Sequence, residues 1–243
     1  MIGKRPFENQ DERVEYDDII YLINPDENTA SVIGSKENVQ KVNIPMSINH
    51  KSKEYYITSI LDNAFKNSKI KFIRFASDSK LQTICKNAFS WSTIKSIRIP
   101  SSVTSIGENA FYFCEQLEVI EIPDDSKLQT IDKNAFFSST IKSIKIPSEL
   151  IDLKEGWCSG TRNLTKISVS PENPRYFCYE DEMIIGKSKI EESNYDCLVF
   201  CVRDIREIKI PNFIEHICSY SFEYCKQLEN VEFSNDSKLQ TID

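Results

Sequence analysis

The 243-residue chain is 40% hydrophobic and 28% charged, values of a folded globular protein rather than a disordered one. Its formal net charge of -7 argues against nonspecific affinity for nucleic acid or anionic lipid, since both need an excess of Lys and Arg. No stretch approaches the roughly 18 apolar residues of a membrane span, and the first twenty residues lack the apolar run of a secretory signal, so no export address is expected.

In chain order, residues 1–40 come first, where two strand-like runs flank Asn24-Pro25-Asp26-Glu27-Asn28 and predict a hairpin cap over the first repeat. A repeat array is expected over 41–170. Ile73, Ile97, Ile120, Ile144 and Ile167 open near-copies of one motif, 24, 23, 24 and 23 residues apart. Such a period marks a solenoid, in which each unit buries its apolar face only against its neighbours. Each unit starts with a short alternating strand, as in Ser96–Pro100, Val119–Pro123, Ser143–Pro147 and Glu207–Pro211. The proline ends it because it cannot donate the next ladder hydrogen bond. A second apolar residue follows at Ile84, Ile106, Ile131 or Ile217, then a small residue and a Phe: Ala64-Phe65, Ala88-Phe89, Ala110-Phe111, Ala135-Phe136 and Ser221-Phe222. These rings are expected to stack as a ladder, with Gly156-Trp157 taking the same place in the fifth unit. The predicted fold is a mainly β, right-handed solenoid with a curved parallel sheet, repeats of about 23 residues and short helical or 3-10 turns.

The period breaks at 171–205. There Met183-Ile184-Ile185 and Cys197-Leu198-Val199-Phe200 flank a polar segment and predict a β-hairpin projecting from the stack. Repeats resume over 206–243, and LQTID at 239–243, set against LQTIDKNAF at 128–136, is expected to halt inside a unit.

Eight cysteines raise metal and disulfide readings. Cys85 and Cys218 share one repeat position, and Cys114 and Cys225 another, so these are expected to pack as small buried apolar groups. There is no closely spaced Cys pair of the kind zinc sites use, whereas a disulfide among Cys178, Cys197 and Cys201 stays open. No phosphate-binding glycine loop, H-E-x-x-H or G-x-S-x-G occurs, so no catalytic, cofactor or metal residues are expected.

The string IPSSVTSIGENAFYFCEQLEVIEIP at 99–123 closely resembles the treponemal, BspA-like leucine-rich repeats in its x-x-I-x-I-P, S-I-G-x-x-A-F and C-x-x-L elements. The likeness runs over roughly residues 40–243, and NPRYF followed by MIIGK is similar to that family's interruption. Only Gly107 keeps the family's glycine after the core Ile; Asp62, Cys85, Asp132 and Cys218 stand elsewhere. The resemblance implies a curved solenoid serving as a surface antigen or adhesin for host or matrix proteins. An intracellular scaffold is the alternative, favoured by the missing signal and the free-looking cysteines.

Two surfaces are candidates for binding protein partners. Strand residues between buried Ile pairs point outward. This places Arg74, Arg98, Glu121, Lys145 and Lys209 in one column with Lys166 beside it, a locally basic stripe on an acidic protein. The insert supplies Tyr176, Phe177 and Tyr179, aromatics of the kind that anchor interfaces.

Overall fold

The computed structural model describes residues 12–243; the first eleven residues of the expected cap lie outside it. Among the described residues there are strands and turns and no helix. The chain winds as a β-solenoid whose successive coils pair in parallel register. One wall comprises Lys41–Ile44, Phe72–Phe75, Ser96–Arg98 and Val119–Glu121 in a four-stranded parallel sheet, followed by the pair Ser143–Ile146 and Lys166–Val169. Ile97 faces Ile120, and Ile144 faces Ile167, so the repeat period is the pairing register itself. Pro100, Pro123, Pro147 and Pro211 all lie just beyond the ends of their strands.

The second wall carries the two-residue strands Thr83–Ile84, Ser105–Ile106, Thr130–Ile131 and Asp152–Leu153. It is continued at the N-terminal end by Lys53–Ile60 and by the antiparallel run Glu12–Tyr16, Ile19–Asn24 and Thr29–Ser35. The hairpin around residues 25–28 thus covers the first coil by joining its sheet. Ile19, Tyr21, Ile23, Ala30 and Val32 point into the common core.

Between the two walls runs a turn arc, and here the structure departs from the expected helical turns. Alternate N–H groups bond within the arc, Ala64 to Leu61 O and Lys66 to Asn63 O. The intervening ones donate to the next coil: Asn63 to Lys86 O, Phe65 to Ala88 O and Asn67 to Ser90 O. A helix needs every donor for its own axis, so these arcs remain overlapping β-turns stitched from coil to coil. Each arc takes a left-handed residue at two positions four apart: Asn63 and Asn67, Asn87 and Trp91, Asn109 and Phe113, Asn134 and Ser138, Gly156 and Gly160, Tyr220 and Tyr224. Asn and Gly tolerate that conformation, which accounts for the Asn preceding Ala-Phe in four units.

The ring ladder forms over Phe65, Phe89, Phe111 and Phe136, with centroids 5.2, 5.1 and 5.3 Å apart. Each ring is 1% exposed or less. The fifth unit differs from the sequence reading. Its left-handed residues are Gly156 and Gly160, so Trp157 takes the place of the small Ala and Cys158 the place of the Phe. Large and small side chains have exchanged positions, a swap that conserves volume, and both are 4% exposed. Trp157 meets Phe136 edge-on at 6.5 Å, and the next ring inward is Phe200 from the insert, at 6.0 Å, rather than Phe222.

The insert does not project. Tyr176–Tyr179, Met183–Gly186 and Cys197–Cys201 form an antiparallel three-stranded unit, closed at Glu180-Asp181 by two left-handed residues. The strand Cys197–Cys201 then pairs in parallel with His216–Ile217 and so becomes part of the stack. Met183–Gly186 is buried on both faces, and that burial is what holds it in. Only the loop over residues 187–196 remains largely exposed. No disulfide forms among Cys178, Cys197 and Cys201. The register explains this: Met183–Gly186 lies between the strand of Cys178 and that of Cys197 and Cys201. Strands two apart are separated by about 9.6 Å, beyond the reach of a disulfide.

Candidate functional site

The outward residues of the first wall make two columns. Asn43 pairs with Arg74, Arg98 with Glu121, and Lys145 with Ser168; beside them Lys41 pairs with Phe72, Ser96 with Val119, and Ser143 with Lys166. Alternation drives the inward Ile and Val side chains into the core and leaves these groups in solvent. Phe72 and Val119 are 41% and 45% exposed, apolar footholds among polar neighbours.

Three hollows follow one another along this wall. The first, of about 430 Å³, lies between Lys41, Phe72 and Arg74. The second, of about 330 Å³, is bounded by Arg74 and Arg98, and the third, of about 810 Å³, by Arg98, Glu121, Lys145 and Lys166. Arg74 and Arg98 are the ridges shared between neighbouring hollows.

The stripe is less basic than the sequence implied. Arg98 holds Glu121 at 3.1 Å, and Lys145 pairs with Asp124. Lys142 binds Glu118 at the margin, and that contact keeps the Glu118 carboxyl below its usual range. Among the described residues Arg74, Lys166 and Lys209 have no carboxylate partner. Lys209 sits apart, on the two-stranded sheet Glu207–Ile210 and Asn230–Phe233 beyond the insert. Among the described residues the open cations of the first wall are therefore Lys41, Arg74 and Lys166, the last two about four strand spacings or roughly 19 Å apart.

The insert aromatics sit differently. Tyr176 is 3% exposed, and its hydroxyl accepts from Leu153 N–H at 3.1 Å. Arg175 donates to Ile151 O at 2.7 Å. Asn173 donates to Pro147 O and Leu150 O, while its Oδ1 accepts from Arg175 N–H and Tyr176 N–H. The NPRYF string is thus a side-chain seal on the edge where coil-to-coil pairing stops. Phe177 and Tyr179 are half-buried against Tyr195 and Phe213.

The turn arc carries a second exposed feature that the sequence reading missed. Trp91, half exposed, stacks on Phe113 at 4.3 Å, and Tyr112 stacks on Phe137 at 4.8 Å. Trp91 and Phe113 occupy left-handed positions that neighbouring coils give to Asn67, Ser138 and Gly160. Bulky residues there cost about 1–3 kcal/mol each. The signal lay in the aromatic residues one or two positions after the core Phe of three consecutive units.

With this geometry in view, comparison with known proteins is decisive on family. The profile of the BspA type leucine-rich repeat region matches residues 58–180 and 175–243, in six copies. The chain belongs to the BspA-type leucine-rich repeat family. The pneumococcal vaccine antigen PcpA superposes with a TM-score of 0.74 at 20% identity, over 96% of this chain and 70% of that one. A leucine-rich repeat protein from Bacteroides ovatus gives 0.67 at 26% identity, over 92% of this chain but 54% of its own. The Treponema pallidum protein TpLRR gives 0.60 at 14% identity, over 96% and 84%. No curated protein matches. At such identities most of these likenesses speak for the fold, a BspA-type repeat scaffold of the kind that generally mediates protein–protein binding.

Proposed function

We propose that the chain is a non-catalytic binding module of the surface-antigen or adhesin type, and that it holds protein partners on the first wall. The observation that carries this reading is the run of three hollows divided by Arg74 and Arg98 and ended by Lys166. Arg74 and Lys166 offer unneutralised charge to acidic groups roughly 19 Å apart on a partner, and Phe72 and Val119 offer apolar contact between them. The wall is held by strand pairing from coil to coil, so little ordering entropy opposes binding. A surface role draws support from the similarity to a vaccine antigen and to a leucine-rich cell surface protein from Faecalibacterium prausnitzii. The eight free thiols favour the second reading, an intracellular scaffold using the same wall.

The test begins with an array of extracellular-matrix proteins, probed with the purified chain at two salt concentrations. The double variant Arg74→Glu/Lys166→Glu is expected to weaken any captured interaction at least tenfold, about 1.4 kcal/mol, and to flatten its salt dependence. Trp91→Ala, on the turn arc, is expected to leave it unchanged. Unchanged binding by the double variant removes the wall as the site. Labelling of intact cells with a membrane-impermeant reagent decides between the two locations, and a protected chain defeats the adhesin reading.

A further inference from the structure

In the regular coils each turn arc donates to the next, as in Phe136 N–H to Trp157 O at 2.8 Å and Ser138 N–H to Ser159 O at 2.9 Å. After the fifth arc this stitching changes. Cys201 N–H, from the insert, donates to Ser221 O of the sixth arc, and Gly160 N–H is met by the Glu223 carboxylate at 2.9 Å. The insert strand Cys197–Cys201 is thus wedged beside the sixth arc, and a cavity of about 280 Å³ is left between the two arcs and the insert. Its floor is aromatic: Trp157, Tyr176 and Phe200 are each buried, with the Trp157 and Phe200 rings 6.0 Å apart.

One wall carries a residue out of pattern. At the first left-handed position of each arc the other coils place Asn63, Asn87, Asn109, Asn134 and Gly156, whereas the sixth places Tyr220, at φ of +65°. A bulky side chain is strained there, and strain of this kind clusters at ligand sites. The Tyr220 ring is 47% exposed and lies over the fifth arc, 3.6 Å from where a Cβ on Gly156 would stand.

The charged residues around the cavity are Lys154, Glu155, Arg175, Lys187 and Asp243. Lys154 is taken by Asp152 at 2.7 Å, and the Lys187 ammonium is drawn over the Tyr195 ring, 5.1 Å from its centroid. Glu155 and Asp243 are exposed, where water and salt screen them. Arg175 differs. It is half-buried and fixed, with Nη1 donating to Ile151 O at 2.7 Å, Nε to Lys187 O at 3.3 Å, and the guanidinium 5.6 Å from the Tyr176 ring centroid. Both acceptors are neutral carbonyls, so among the described residues the guanidinium has no carboxylate partner and Nη2 is left for an anion.

We propose that this cavity binds a small aromatic carboxylate, its ring against Trp157, Tyr176 and Tyr220 and its carboxylate on Arg175. A volume of about 280 Å³ falls just under the roughly 300–1,000 Å³ of drug-sized sites, which limits the ligand to one ring system with a short acidic arm. A flat ring gains by offset or edge-on contact with aromatic walls. A guanidinium already held by two carbonyls loses little freedom when it adds a charge-assisted bond to a carboxylate. The cavity lies outside the first wall, so its ligand is independent of any partner held there.

The chain has two tryptophans, Trp91 and Trp157, so in Trp91→Phe the indole of the cavity is the only one. Its emission is followed while this full-length variant is titrated with phenylacetate and 3-phenylpropionate, each compared with its amide, and with acetate. At least one of the two aromatic acids is expected to give a saturable change, its amide to bind about tenfold more weakly, and acetate to give no change. Added to this background, Tyr220→Asn restores the residue type of the regular arcs; it is expected to fold and to weaken binding about fivefold. Arg175→Gln, checked for folding by its urea midpoint, is expected to erase the preference for acid over amide, and Tyr220→Asn carries the test if that variant does not fold. No saturable change with either acid, equal affinity for acid and amide, the same change with acetate alone, or unaltered binding by Tyr220→Asn overturns the proposal.

Discussion

Residues 58–151 and residues 152–225 solve the same problem by different means. In the first region every coil satisfies its neighbour through the backbone: strand to strand, and turn N–H to the next turn's carbonyl. One ring per coil then fills the interior. In the second region the ladder fails, and side chains take over its hydrogen bonds. Asn173, Arg175 and Tyr176 bind the groups left open behind Pro147, Leu150, Ile151 and Leu153. Further along, Arg203, 3% exposed, donates to Ser221 O at 3.0 Å and lies 4.3 Å over the Phe200 ring. Repetition makes the regular stack tolerant and featureless inside. The junction is particular, and it is there that the repeat chain encloses a cavity lined by thiols.

The contrast can be broken at several points. The largest effect is expected from Phe111→Ala, since that ring is sealed between Phe89 and Phe136. A loss of about 4 kcal/mol in urea unfolding would mark the ladder as the main source of stability. Asn173→Ala should follow, at about 3 kcal/mol, because four backbone groups, three of them in buried hydrogen bonds, lose their partner together. A loss near zero would mean that the junction contributes little and that the regular coils fold without it.

Gly160→Ala is expected to cost about 2 kcal/mol, since the residue has φ of +75° and its new Cβ would lie 2.6 Å from Ser138 Oγ. Gly34→Ala, with 3.4 Å to Ala64 O and an ordinary φ, is the control and should change little. The smallest effect is expected at the exposed pair Lys86–Glu108, 2.7 Å apart. There Lys86→Ala should leave the unfolding midpoint almost unmoved.

The regular half was readable from sequence because its cause is periodic: the spacing of Ile97, Ile120 and Ile144 is the strand register, and Ala-Phe pairs announce the ladder. The fifth unit was misread because apolar matching aligned Trp157 with the Phe position. Backbone conformation, signalled by Gly156 and Gly160, puts Cys158 there instead. The outward column was visible at Arg74, Arg98 and Lys145, but its electrostatics were not. Asp124 neutralises Lys145 from a loop whose path the strand pattern does not encode. Tyr176 reads as an interface aromatic in one dimension. Only the broken ladder at Leu153 reveals that its hydroxyl has a structural task. The pairing of Cys197 with His216 and of Leu198 with Ile217 depends on the insert strand entering the stack, which no local pattern predicts.

The most direct test of stacked coils sealed by side chains is amide hydrogen exchange on the wild type and on Asn173→Ala, followed peptide by peptide. Stacking predicts strong protection at Phe89, Ile106 and Phe111 in both proteins, with the variant's protection falling at residues 152–177 and staying intact over 84–136. A uniform loss of protection across all coils, or none at residues 152–177, would contradict the account.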